Sequence, residues 1–245
     1  MMLAGVVAVV FVATLVRSTF GFGEALVAVP LLALFLPVRV AAPLAVLVSI
    51  TVAAIVLVQD FRDVHVRSAG WLLAATLAGI PIGLWGLTAL DARVVKGVLG
   101  AVIASFAIWS LARRAARELQ GDALGWMLGC GLLAGVLGGA YGMNGPPLVV
   151  YGSLRGWSAQ RFRATLQAYF LPASVLGMTG YAIAGLWSRA VTHDYLVALP
   201  ATIVATLLGR ALNARLRGPS FLRWIYAGLV LTGAALVTES VLALA

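Results

Sequence analysis

Two polar interruptions in an otherwise apolar chain carry the residues that could do chemistry: Phe20-Gly21-Phe22-Gly23-Glu24 and Tyr141-Gly142-Met143-Asn144-Gly145-Pro146-Pro147. In hydrocarbon an opened backbone survives only where protein or a water-filled cavity satisfies its N–H and C=O groups, so each break is a candidate site. The chemistry on offer is anion binding. Gly145 and Asn144 leave free N–H donors at a gap, and Pro146 and Pro147 suit the first turn of a helix, where an N–H would have no intrahelical acceptor. A helix N-terminus at mid-membrane carries partial positive charge and holds an anion without a basic side chain. Gly23 and the arm after it offer the same from the opposite direction, with Gly21 standing where Gly142 stands.

Arg17 and Glu24 are the ionisable residues set deepest among apolar neighbours. Arg17 could neutralise an anionic substrate or snorkel to a headgroup. Glu24 could carry a coupling proton, cap the returning helix, where an acid is favourable, or pair with Arg17. Ser18, Thr19, Asn144, Gln167, Tyr169 and Ser174 add polar groups near the same centre, each of which could equally satisfy a helix contact. The candidate substrate-binding set is Arg17, Gly21, Gly23, Glu24, Gly142, Asn144, Gly145, Pro146, Gln167 and Tyr169.

The elements that position this set follow from composition. Of 245 residues, 62% are hydrophobic and 10% charged, against about 25% charged in a soluble domain. The chain reads as an integral membrane protein. Its net charge of +9 collects as Arg in short segments between apolar runs, as the positive-inside rule produces, so no nucleic-acid partner is implied. The first apolar run has no basic residue before it and no cleavage site after it, and reads as a retained helix.

Met2 to Thr19 and Ala25 to Leu36 read as a hairpin around the first break. Spans over 42–58, 71–90 and 94–112 follow, each long enough for the hydrocarbon core. The polar run 113–122 separates the halves. Residues 124–140, the second break and a short arm to Leu154 form a second hairpin, followed by spans over 165–187, 195–212 and 224–244. The domain expectation is a first membrane repeat over 1–112, a cytoplasmic linker over 113–123 and a second repeat over 124–245. If each hairpin enters and returns, three further crossings per half invert one half relative to the other. Twelve Arg then share one side, with Arg39, Arg93, Lys96 and Arg189 opposite. That bias makes the Arg-rich side cytoplasmic and puts both termini outside. Small residues at four-residue spacing from Gly125 to Gly142 predict close helix packing.

Phe-Gly-Phe-Gly-Glu-Ala-Leu-Val-Ala-Val-Pro-Leu-Leu at 20–32 and Gly-Gly-Ala-Tyr-Gly-Met-Asn-Gly-Pro-Pro-Leu-Val at 138–149 resemble the sulfite exporter TauE/SafE family, over nearly the whole chain. The resemblance implies a duplicated transporter in the cell's inner membrane for sulfite, organosulfonates and related sulfur-containing anions. Members of that family often carry further glycines after the first Gly-Phe-Gly, where this chain has Glu24. The combined expectation is an all-α polytopic membrane protein with two inverted repeats. It would be a secondary transporter working by alternating access, its anion held between half-helix N-termini, with a coupling proton or ion and no cofactor.

An anion channel is the alternative with the same half-helix site, distinguished by non-saturating flux. An intramembrane enzyme would need facing catalytic groups beyond Glu24. His65 and His193, read as loop residues, do not make a metal pair, and no phosphate-binding loop occurs. Asp60, Asp63 and Asp91, beside Arg residues in loops, read as halves of solvated ion pairs.

Overall fold

The described residues are almost wholly helical, because the apolar runs leave the backbone no partner in hydrocarbon except itself. The computed structural model describes residues 2–60, 66–112, 124–155, 159–215 and 220–242. The proposed linker 113–123, Arg62, Asp63, His65 and Arg217 lie outside the described residues. The first half contains α1 (Met2–Phe20), α2 (Glu24–Leu32), α3 (Val38–Asp60), α4 (Val66–Ala89) and α5 (Ala92–Ala112). The second contains α6 (Leu124–Tyr141), α7 (Gly145–Leu154), α8 (Ala159–Ile183), α9 (Arg189–Arg215) and α10 (Ser220–Leu242). Among the described residues there is no strand. Six helices, α1, α3, α4, α5, α6 and α9, contain stretches long and apolar enough to cross a membrane. The chain is a multi-pass membrane protein.

Both hairpins form as the breaks dictate, α1 with α2 and α6 with α7. Boundaries differ from the sequence reading in ways that local chemistry explains. The α2 arm stops at Leu32, with Ala33 donating to Val29 and Leu36 to Leu32 in a turn ahead of Pro37. Helix α8 ends at Ile183 rather than Trp187, because Gly185 takes φ 71° and the Gly185 and Leu186 N–H groups bond back to Ala182 and Tyr181, closing the helix end. Helix α9 begins six residues before the expected Tyr195, at Arg189, with Ser188 Oγ accepting the Val191 N–H; His193 is therefore helical. The Asp91 carboxylate accepts the Arg93 N–H at 2.8 Å, so it caps α5 instead of forming the expected ion pair.

Helix α8 spans 25 residues but is too polar to count among the six. The residues that make it polar, Thr165, Gln167 and Ser174, are buried, so their polarity faces protein.

The helices pack in pairs: α4 along α6, α1 along α9, α5 along α10, and α3 across α8. Exchanging the halves element for element returns this same set of neighbours. The α4·α6 contact is backbone on backbone. A Cβ at Gly83 would lie 1.9 Å from the Val136 carbonyl oxygen, one at Gly135 2.4 Å from that of Thr76, and one at Gly139 2.2 Å from that of Ile80. Small residues allow such approach, as the four-residue spacing predicted. The packed row is Gly131, Gly135 and Gly139, whereas Gly125 and Gly129 face open space.

Candidate functional site

The two breaks meet at one place. A cavity of about 20 Å³ is lined by Arg17, Phe22, Gly23 and Glu24 from the first break, and by Gly142, Asn144, Gly145 and Pro146 from the second. Ser49 and Phe170, from α3 and α8, complete its wall. It has room for roughly one water molecule, which needs about 10–15 Å³ of such space.

Ser49 fixes the depth, being the central residue of α3, which runs from Val38 to Asp60. A residue at the middle of a 23-residue helix lies near mid-membrane if the helix crosses it. Ser174 Oγ of α8 donates to Ser49 Oγ at 3.2 Å, so the two crossing helices meet there. The breaks therefore meet beside the middle of α3.

At the first break the backbone turns through two left-handed glycines, Gly21 at φ 86° and Gly23 at φ 99°, a conformation that costs other residues about 1–2 kcal/mol. The carbonyls that end α1 are taken by amide side chains. Gln167 Nε2 donates to the Gly21 oxygen at 2.9 Å, and Asn213 Nδ2 donates to that of Thr19. These are acceptors a helix C-terminus leaves open.

Arg17 is buried, 3% exposed, so it does not snorkel. Its Nη1 donates to Glu24 Oε2 at 2.5 Å and to Ser49 Oγ at 2.5 Å, and its Nη2 donates to Gln167 Oε1 at 2.9 Å. The guanidinium carbon stands 4.9 Å from the Phe170 ring centroid, a cation–π contact. Glu24 is 2% exposed and opens α2, where a carboxylate is favoured by the free N–H groups. Its second oxygen, Oε1, has no hydrogen-bond partner, and neither has Arg17 Nε.

The second break contains no charge among its residues. Gly142 turns at φ 66°, its N–H bonding to the Gly138 oxygen and that of Met143 to the Leu137 oxygen. Asn144 precedes α7 and folds against Gly138, where a Cβ would lie 2.4 Å from Asn144 Nδ2. From there Nδ2 donates to Tyr169 OH over a long 3.4 Å. Tyr169 OH lies 2.6 Å from Thr76 Oγ1, which also donates to the Gly131 oxygen at 2.9 Å. Tyr181 OH donates to the Gly138 oxygen at 2.9 Å. A relay of neutral groups thus connects this break to the α4·α6 contact.

The structure brings all ten sequence-predicted site residues into one neighbourhood. Seven line the cavity: Arg17, Gly23, Glu24, Gly142, Asn144, Gly145 and Pro146. Gln167 and Tyr169 stand one hydrogen bond behind it, on Arg17 and Asn144, and Gly21 is held in turn by Gln167. Sequence reasoning missed Ser49, Phe170 and Asn213. Ser49 carried a signal, as the hydroxyl at the centre of an apolar span. Phe170 did not, because nothing in a sequence separates a ring over a guanidinium from a packed ring.

Chemically, the cavity presents a fixed cation, two helix N-termini and an amide donor, balanced by one carboxylate. Such a site suits a small anion with several acceptor oxygens.

A family model, the sulfite exporter TauE/SafE family, matches residues 6–237. The probable inner membrane transporter protein TsaS of Comamonas testosteroni is 30% identical over 182 residues, covering 72% of this chain and 74% of its own. The probable sulfite/organosulfonate exporter TauE of Cupriavidus necator is 27% identical over 182 residues, covering 74% of this chain and 70% of its own. No solved structure matches the chain.

Proposed function

This chain belongs to the sulfite exporter TauE/SafE family, and from that premise we propose a secondary transporter of a small sulfur-containing anion, sulfite or a short organosulfonate, in the cell's inner membrane. The observation that carries this reading is the convergence of the α2 and α7 N-termini on one mid-chain cavity containing Arg17. In membrane transporters, half-helix N-termini facing each other across repeats hold anionic groups at the midplane. The cavity is smaller than such an anion, so the halves would rock to open the site to one side at a time.

The repeat boundaries belong to the same reading: 1–112 and 124–245, inverted relative to one another, joined by a cytoplasmic linker over 113–123. The matching neighbour sets of the two halves and the Arg bias between spans support it. Both termini would face outside, and a C-terminal reporter found in the cytoplasm would reverse the assignment.

The test is a binding and uptake screen of the purified protein in vesicles against sulfite, sulfate, thiosulfate and methanesulfonate. Saturable uptake of a sulfur oxyanion, with counterflow when the trans side is preloaded, is the expected result. Flux that grows linearly with concentration, without counterflow, would make the protein a channel. Failure to bind any of the four would remove the substrate class.

A further inference from the structure

In this structure the cation of the site is already occupied by the chain itself. Glu24 places one carboxylate oxygen 2.5 Å from Arg17 Nη1, in the cavity that the two helix N-termini face. The carboxylate therefore stands where an anion's oxygen would stand. Its other oxygen is buried and unpartnered, and Glu24 is among the residues that line the same cavity. A carboxylate whose role was structural would be expected to have both oxygens bonded at such depth, because each buried acceptor left unmade costs about 1–3 kcal/mol.

We propose that Glu24 is a tethered competitor for the anion site, and that one proton delivered to it releases Arg17 and accompanies each transported monoanion. This rests on the transporter reading above but concerns how the site is emptied and filled, not which anion fills it. The charge balance requires the proton. With Glu24 ionised, an arriving monoanion would leave two negative charges against one guanidinium, and an uncompensated buried charge costs several kcal/mol. With a proton from the aqueous phase on Oε1, Glu24 is neutral and Arg17 turns its Nη1–H from Oε2 to the anion. The site then holds one cation and one anion. When both the anion and the proton leave, the Arg17–Glu24 pair re-forms and the empty site is neutral again. Loaded and empty forms can both cross, while a site holding anion alone, or proton alone, carries net charge.

Among the described residues Arg17 is the charged side chain that acts on Glu24, and the other charged side chains on elements packed against α2 lie elsewhere, Arg93 of α5 being exposed. Arg39 of α3 donates to the Leu87 and Thr88 carbonyls. Lys96 of α5 pairs with Glu239 of α10, and Asp91 caps α5. The α8 residues that reach the pair, Gln167 and Phe170, do not titrate.

The experiment measures methanesulfonate binding to the purified full chain between pH 5 and pH 9. This ligand keeps its charge throughout, so a slope belongs to the protein. Wild type should bind about tenfold more weakly for each pH unit once Glu24 ionises, the slope of one linked proton. Binding in weakly buffered solution at the alkaline end should take up one proton per anion, a reading that needs no variant. Glu24→Gln should bind with a flat pH profile and exchange anion for anion, but lose net proton-driven uptake, because its empty site keeps an unpaired Arg17. A wild-type profile as flat as that of Glu24→Gln, or no proton uptake, would overturn the proposal. So would Glu24→Gln protein, folded by its melting transition, that binds no anion in a panel including sulfite, nitrate and acetate. If wild type and variant instead show this contrast with nitrate or acetate and not with sulfonates, the proton mechanism stands and the sulfur-anion reading falls.

Discussion

The two breaks share a backbone plan and differ in what they place on it. Each ends a helix with a left-handed glycine and starts a short returning helix at the same cavity, α2 with nine residues and α7 with ten. The first break holds a buried ion pair, Arg17 with Glu24. The second holds an amide and two prolines, tied through Tyr169 to Thr76. Similar backbone geometry therefore carries different chemistry at the two breaks. In the proposed mechanism the formal charge of one would set affinity and coupling, while the neutral donors of the other would shape the site without adding a second charge that would have to be balanced.

The most severe way to break this division is to remove the cation. Arg17→Gln leaves Glu24 buried without its partner, and breaking a buried pair in this way costs about 3–5 kcal/mol. We expect anion binding to fall more than a hundredfold and the melting temperature to drop. Arg17→Lys keeps the charge but cannot spread it over Glu24, Ser49 and Gln167 at once, which Arg17 does through two nitrogens. It should recover part of the stability and little of the binding. Equal affinity in wild type and Arg17→Lys, measured by calorimetry, would mean that the fork geometry is irrelevant.

A second substitution makes the breaks alike. Asn144→Asp gives the second break its own carboxylate, at the position before α7. Pro146 and Pro147 have no N–H for it to cap, and the amide that donates to Tyr169 is lost, so a buried charge is added with little to offset it. Melting temperature should drop, and anion affinity should fall at least tenfold because a second negative charge faces the incoming anion. A drop in melting temperature with unchanged affinity would show that Asn144 matters as a packing group against Gly138 and not as a donor to the site.

Next in size is the steric difference between the turning glycines. A Cβ at Gly142 would lie 2.7 Å from Val46 Cγ2 and 3.1 Å from the Ala42 carbonyl oxygen, whereas one at Gly23 meets nothing nearer than Val16 Cγ1 at 3.5 Å. Both substitutions by Ala incur the left-handed cost of about 1–2 kcal/mol. Only Gly142→Ala adds a clash with α3. Its melting temperature should fall further than that of Gly23→Ala, and equal losses would show that Val46 gives way.

How much of this could be read from the chain depended on whether the signal was local. The breaks were legible because glycine and proline interrupt apolar runs, and the interior position of Arg17 because an apolar helix surrounds it. Its pairing with Glu24 was one of several readings, since the two stand seven positions apart across a turn. The contacts across the halves were not legible. Periodicity says that Gly131, Gly135 and Gly139 share a face, but not that α4 covers it. Gln167 was recognised as central without its double role, accepting from Arg17 while donating to Gly21. Asn213, which holds the Thr19 carbonyl, sits near the polar end of α9 and resembles any helix-end amide.

The smallest effect tests the seam between the halves. Ser49 Oγ accepts from Arg17 at 2.5 Å and from Ser174 at 3.2 Å, so it stands between the charge of the first break and the crossing of α3 with α8. Ser49→Ala removes one acceptor from a guanidinium that keeps Glu24 and Gln167. The loss should be near the 0.5–1.5 kcal/mol of an ordinary hydrogen bond, a few-fold in affinity. Ser174→Ala removes the other hydroxyl and leaves Arg17 with all its acceptors, so anion affinity should not move. If charge is confined to the first break, the two substitutions differ in affinity while stability changes little in either. Were Ser174→Ala to weaken binding as much as Ser49→Ala, the second half would be acting on Arg17 through the serine contact. The division between a charged half and a neutral one would then be too sharp, with the α3·α8 crossing belonging to the site itself.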